Sequence, residues 1–230
     1  MEKVEQRKII FEKKKSKISY CGVILGHFVN CYILVLNLQE LRVTNCVLDI
    51  ESLVSNLPTL ETLVVMDCSH VITAAPPPVI DSYDSCCHAK SADSCSSQMR
   101  SQLRRLVMHD YDGLPDEALV RTLDLCPLLN ELNLTEMDSL TYSAVSRALI
   151  SCRQLESLKM ADCLGLRELS PPGSSLECSA LLTSLDVSGC RRSTWDAILF
   201  FCGACPRLRR LKACRLPDLL PDQVVALLLR

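Results

Sequence analysis

Residues 126–137 read CPLLNELNLTEM: a Cys-Pro pair, then leucines at 129, 132 and 134. The Leu132-x-Leu134 alternation sends both leucines to one face of a short strand and the residue between them to the other. Nearly the same phrase returns as CRQLESLKMADC at 152–163 and as CPRLRRLKAC at 205–214. Reduced to Leu-x-x-Leu-x-apolar, it starts at Leu38, Leu60, Leu103, Leu129, Leu155, Leu182 and Leu208, with steps of 22, 43, 26, 26, 27 and 26 residues. Four successive steps within one residue of each other mark an array of stacked units.

Each unit follows its strand with a turn, at Cys46, Cys68, Cys163 and Cys190, or at Tyr111 and Met137 in the less regular units. A helical segment comes next. LPDEALVRTLDLC (114–126) sets Leu114, Ala118, Leu119, Leu123 and Leu125 near helical spacing, with Pro115-Asp116-Glu117 suited to a first turn. TYSAVSRALISC (141–152) and TWDAILFFCGAC (194–205) repeat the design, opened by Thr141 and Thr194 as capping residues. One strand and one helix cannot bury their apolar faces alone, but stacked neighbours can. Parallel strands stack at about 4.8 Å, while packed helices need roughly 8–10 Å. The expectation is an α/β solenoid bent into an arc, with short parallel strands inside and helices outside.

The chain has 230 residues, 48% hydrophobic and 23% charged but only 4% aromatic, so its core must be built largely of leucine. Residues 1–17 carry a net charge of +4, residues 191–230 of +5, and the body between them −11. That balance excludes the uniformly basic surface of a nucleic-acid binder and leaves a basic end able to meet an acidic or phosphorylated partner. Fifteen cysteines, an odd number, recur inside the repeat phrase of a long chain with an ample core. They read as reduced, buried small hydrophobes of a cytoplasmic or nuclear protein rather than as a disulfide framework.

The pattern Cys-Pro-x-Leu-x-x-Leu-x-Leu-x-x-Cys at about 26 residues resembles the cysteine-containing leucine-rich repeats of F-box/leucine-rich-repeat proteins. It is carried by Cys126-Pro127 to Met137, Cys152 to Cys163 and Cys205-Pro206 to Leu216, with Asn56-Leu57-Pro58 as a variant form, and covers about residues 38–230. The resemblance implies a protein-interaction scaffold, the substrate-recognition part of a ubiquitin ligase. It implies a Skp-type adaptor as partner if an F-box exists elsewhere in the native protein; no Leu-Pro-x-Glu opening of an F-box precedes the repeats here. It also implies that Cys46, Cys68, Cys163 and Cys190 sit buried and support the backbone of the next coil, a ladder from which Tyr111 and Met137 depart. The alternatives are a non-ligase leucine-rich-repeat regulator and a membrane-tethered receptor or assembly protein.

Three stretches break the period. Residues 73–102 are rich in Pro, Ser, Ala and Cys and read as a long loop inside the 38–230 repeat domain. Its Cys86, Cys87, His88 and Cys95 lack the paired spacing of a zinc site, and no metal or other cofactor is expected. Pro171-Pro172-Gly173 forbids a helix within 164–180. Residues 1–37 combine a basic N-terminus with an apolar run at 18–36, read as the helix of an incomplete first repeat. The rival reading is a membrane anchor, against which His27, Asn30 and Asn37 speak.

No phosphate loop, dinucleotide fingerprint or catalytic constellation is present, so the chain reads as a binder and not an enzyme. The residues between the paired apolar positions should line the inner face. From them the candidate protein-binding set is Arg42, Val64, Met66, Arg105, Val107, His109, Asn133, Lys159, Asp186, Arg210 and Lys212. Val64, Met66 and Val107 read either as an apolar patch or as singly exposed strand residues. Arg209, Arg210, Lys212 and Arg215 read either as a basic patch or as a solvated face.

Overall fold

The structure, a computed structural model, describes residues 8–12, 17–21, 38–71, 101–166, 181–194, 198, 203 and 205–216. Strands β1 (Lys8–Glu12), β2 (Lys17–Cys21), β3 (Glu40–Thr44), β4 (Val47–Leu48), β5 (Thr62–His70), β6 (Arg105–Asp112), β7 (Glu131–Thr135), β8 (Ser157–Lys159), β9 (Ser184–Asp186) and β10 (Arg210–Lys212) build one α/β sheet. They line up in chain order, with β4 as an offshoot on β5. The β1–β2 pair is antiparallel; every later pair is parallel. Helices α1 (Ile50–Asn56), α2 (Asp116–Asp124) and α3 (Tyr142–Ser151) connect successive strands, with α2 packed between α1 and α3.

The Leu-x-x-Leu-x-apolar phrase explains this register. Leu41, Leu63, Leu106, Leu132, Leu158, Leu185 and Leu211 form one in-register column, and Val43, Val65, Met108 and Leu134 form a second. All but Leu211 are nearly or wholly buried in a single core, which also takes the leading leucines from Leu38 to Leu182. Each such leucine contributes about 1.5–3 kcal/mol by leaving water.

The turns into β5, β7, β8 and β10 are made the same way. The N–H of Leu60, Leu129, Leu155 and Leu208 donates to the carbonyl three residues earlier, at Leu57, Cys126, Cys152 and Cys205. The next backbone carbonyl along each unit accepts two N–H groups of the following unit. Gln39 takes Glu61 and Thr62, Glu61 takes Arg104 and Arg105, and Arg104 takes Asn130 and Glu131. Asn130, Glu156 and Thr183 continue the series. No side chain is needed for this relay, so the residues at those positions are free to vary.

At the other end of the strands the chain must change direction sharply. It does so through a left-handed residue at Asn45, Asp67, Asp110, Glu136, Asp162, Gly189 and Arg215, with φ from 50° to 74°. Each stands immediately before the turn residue: Cys46, Cys68, Tyr111, Met137, Cys163, Cys190 and Leu216. Asn, Asp and Gly are the residues that tolerate this region best, and five of these seven positions carry one.

The turn cysteines are buried, and their thiols reach backward. Cys163 Sγ donates to the Leu134 carbonyl at 2.9 Å and Cys190 Sγ to that of Met160 at 2.8 Å, both in the preceding unit. The expected support of the next coil is corrected in direction to that extent. Tyr111 and Met137 keep the ladder intact. Met137 is buried at the same position, and the Tyr111 hydroxyl donates to the Leu48 carbonyl at 2.6 Å.

The helix read at 18–36 is corrected at its start. Lys17–Cys21 is a strand whose Ile18 and Tyr20 fall in register with Leu41 and Val43. Ile18-x-Tyr20 has the same alternation as the later strands, so the first unit of the ladder precedes Leu38. Residues 22–36 lie outside the described residues, as do 72–100 and 167–180, the bulk of the other two irregular stretches. Among the described residues no helix is long and apolar enough to cross a membrane.

The helix N-termini depart from simple capping. Asp49, unmarked in the sequence reading, caps α1 by accepting from the N–H of Glu51 at 3.1 Å and of Ser52 at 3.4 Å. Thr141 stands at the N-cap of α3, but its hydroxyl turns to the Asp116 carboxylate of α2. Thr194 offers its backbone carbonyl to Ile198 N–H at 3.4 Å.

Candidate binding face

The sheet face turned away from the core gathers the sequence-derived candidates into columns. Arg42, Val64, Val107, Asn133, Lys159, Asp186 and Lys212 are register partners in that order, each facing the next across one strand gap. Arg105 and Arg210 lie in the flanking column that runs from Glu40 through Thr62, Glu131, Ser157 and Ser184. Met66 and His109 face each other in the column on the opposite flank.

The expected apolar patch is corrected. Val64 and Val107 are only 7% and 9% exposed, although neither belongs to the main core. They are β-branched partners in direct register, with Arg42 and Asn133 as their outer neighbours in the column. They stiffen the face but leave little apolar area for a ligand.

The expected basic patch is corrected in part. Lys212 Nζ lies 4.0 Å from Asp186, and Arg215 makes a 2.7 Å ion pair with Asp162. Further along, Arg105 pairs with Glu131 at 3.2 Å and Arg42 with Glu40 at 3.2 Å. The cationic side of each pair is about half or more exposed, and such pairs are worth about 0–1 kcal/mol each. Their larger effect is to balance cations that looked unopposed in the sequence. Arg209 and Arg210 remain exposed.

An acidic ledge is the feature that sequence reasoning missed. Asp110, Glu136 and Asp162, three of the left-handed residues, line a cavity of about 360 Å³ together with Asp138, Leu164, Gly189 and Arg191. Leu164 is 42% exposed there, one of the few large hydrophobic side chains left open to water. Gly189 is required at its position twice over. Its φ is +74°, and a Cβ would collide with the Asp162 carboxylate that holds Arg215. The guanidinium of Arg215 thereby crosses a glycine gap to reach a carboxylate 53 residues away in sequence.

His109 borders the ledge. Its Nδ1 is buried without a hydrogen-bond partner, and the Glu136 carboxylate stands 3.9 Å away. The signal for the ledge is present in the sequence as an Asn, Asp, Glu or Gly before six of the seven turn residues, Arg215 being the exception.

Among the described residues no cluster of His, Cys, Asp or Glu is arranged to hold a metal ion. Cys86, Cys87, His88 and Cys95 lie outside them. Burial pushes the thiols of Cys126, Cys152 and Cys163 up to about 12 and that of Cys190 up to about 11, so these sulfurs remain protonated donors.

No protein-family model matches the chain, and no curated protein matches it.

Proposed function

We propose that the chain is a leucine-rich-repeat solenoid, an arc with its strands on the inside, that serves as a protein-binding scaffold. The observation that carries this reading is the in-register outward column from Arg42 to Lys212, flanked on one side by the acidic ledge. Seven parallel strands presenting side chains at fixed spacing, five of them polar, suit an extended protein segment rather than a small molecule. The ledge carboxylates would accept a Lys or Arg side chain of that segment, with Leu164 against its aliphatic stem. Arg209 and Arg210 at the other end would take an acidic or phosphorylated stretch.

The resemblance of the repeat phrase to F-box/leucine-rich-repeat proteins makes presentation of a bound protein for ubiquitin transfer the first role to test. A non-ligase regulator is the alternative. The proposed role is recognition rather than catalysis, in a cytoplasmic or nuclear setting.

Affinity capture with the tagged chain, read by mass spectrometry, tests both levels. A partner that is retained by the wild type and lost from an Asn133→Arg, Lys159→Glu double variant with unchanged circular dichroism supports the face. A capture profile identical for the two proteins would refute it. Skp-type adaptor and cullin among the captured proteins would favour the ligase role, and face-dependent partners without them would favour the regulator.

A further inference from the structure

The turn cysteines of successive units stand in pairs, and one pair differs from the rest. The β3–β5 register is Thr44 to Met66, and the β4–β5 register is Val47 to Ser69, the same offset of 22 residues on either side. Cys46, in the break between β3 and β4, therefore lies opposite Cys68 of β5 by the same offset. Strands in such a sheet lie about 4.8 Å apart, within the range of roughly 4.4–6.8 Å between Cα atoms that a disulfide spans. The Cys46 N–H donates to Cys68 Sγ at 3.4 Å, which aims the backbone of one cysteine at the sulfur of the other. Neither residue is in a disulfide.

The pairs Cys126–Cys152 and Cys163–Cys190 are sealed, all four residues being 0% exposed. Cys46 and Cys68 are buried but retain 3% and 4% exposure. The electrostatics run the same way. A hydrogen bond from the Cys46 thiol to Cys68 outweighs desolvation and holds the Cys68 thiol below its ordinary value, while burial raises all four thiols of the sealed pairs.

We propose that Cys46 and Cys68 form a peroxide-responsive pair that closes to a disulfide between neighbouring strands. The Cys68 thiolate attacks one peroxide oxygen; the O–O bond breaks and hydroxide leaves, giving a Cys68 sulfenic acid. The Cys46 sulfur then attacks Cys68 Sγ. The S–O bond breaks, the Cys46 proton and the departing hydroxyl form water, and the S–S bond is made. In sum, two thiols and one hydrogen peroxide give one disulfide and two waters, with two electrons passing from sulfur to oxygen. Thr44 and Met66, two residues before the pair, carry side chains on the flank of the binding face. The cross-link would thus tie the edge of that face to the redox state of its surroundings.

The test is non-reducing peptide mapping of the full chain after stoichiometric hydrogen peroxide. The expected result is a cross-linked species joining the Cys46 and Cys68 peptides, formed before any other and abolished by dithiothreitol. In Cys46→Ser the disulfide is lost, and Cys68 becomes the cysteine labelled by dimedone. In Cys68→Ser that label does not move to Cys46. First cross-links at any other pair, sulfenic acid forming on Cys46 in preference to Cys68, or no Cys46–Cys68 species at full peroxide consumption would each overturn the proposal.

Discussion

Raising the pH should unfold the protein through its buried thiols, and Cys163 isolates the effect. Its thiol ionises near 9.0 when exposed and is pushed up to about 12 in the fold by burial. A folded value above the unfolded one stabilises the fold fully below pH 9.0, and that contribution fades as pH rises from there through about 12. By about pH 10 one such thiol has withdrawn about 1 kcal/mol, and next to nothing at pH 8. Cys126, Cys152 and Cys190 behave alike. Together the four remove a few kcal/mol (about 3–6), a large share of the stability of many domains. Urea unfolding at the two pH values under reducing conditions, followed by far-ultraviolet circular dichroism, measures this in wild type and in Cys163→Ala. The variant also lacks the sulfur–carbonyl bond to Leu134, a loss already complete at the lower pH. The variant differs from the wild type at the one thiol, so the difference in pH response reports on that thiol. The variant's midpoint should fall by about 0.5 M urea less than that of the wild type. Equal falls would refute the reasoning.

Three further outcomes follow from packing. Leu132→Ala, at a fully buried site in the middle of the leucine column, should cost about 2–5 kcal/mol in urea unfolding, against under about 0.5 for exposed Glu61→Ala. Tyr111→Phe removes the 2.6 Å bond to the Leu48 carbonyl and should lower stability by about 1–3 kcal/mol in the same measurement. Gly189→Ala should destabilise by about 1–2 kcal/mol from its left-handed backbone alone. By displacing Asp162 it should also free Arg215, which reaction with a guanidinium-specific reagent would detect.

The strand ladder was legible because its signal is periodic and local. Leucines two and three apart dictate which side chains face inward, and the column from Arg42 to Lys212 follows from that alternation alone. Ile18-x-Tyr20 is hard to read because the long apolar run that follows it hides a two-residue period. Burial of Val64 and Val107 was not legible, because it depends on what lies across the strand gap. The ion pairs were hidden for the same reason. Arg215 and Asp162 are 53 residues apart, and only the stacking of units brings them together. Asp49 was readable as a cap from Asp-x-x-Ser, and went unmarked because the helix it opens has only 7 residues.

The steps between units are unequal, 22, 43, 26, 26, 27 and 26 residues, yet Leu63 meets Leu106 in the same register as Leu106 meets Leu132. The cross-strand bonds lie within the strands and the turns that enter and leave them, so the length of chain between one unit and the next is uncoupled from the alignment of the sheet. Insertions and deletions in the 43-residue step are then evolutionarily cheap, whereas the loss of a single residue between Leu129 and Leu134 would throw every later contact of that strand onto the wrong face. A reporter or epitope spliced into the long step would leave the strand register unchanged, because that register is set by contacts outside it.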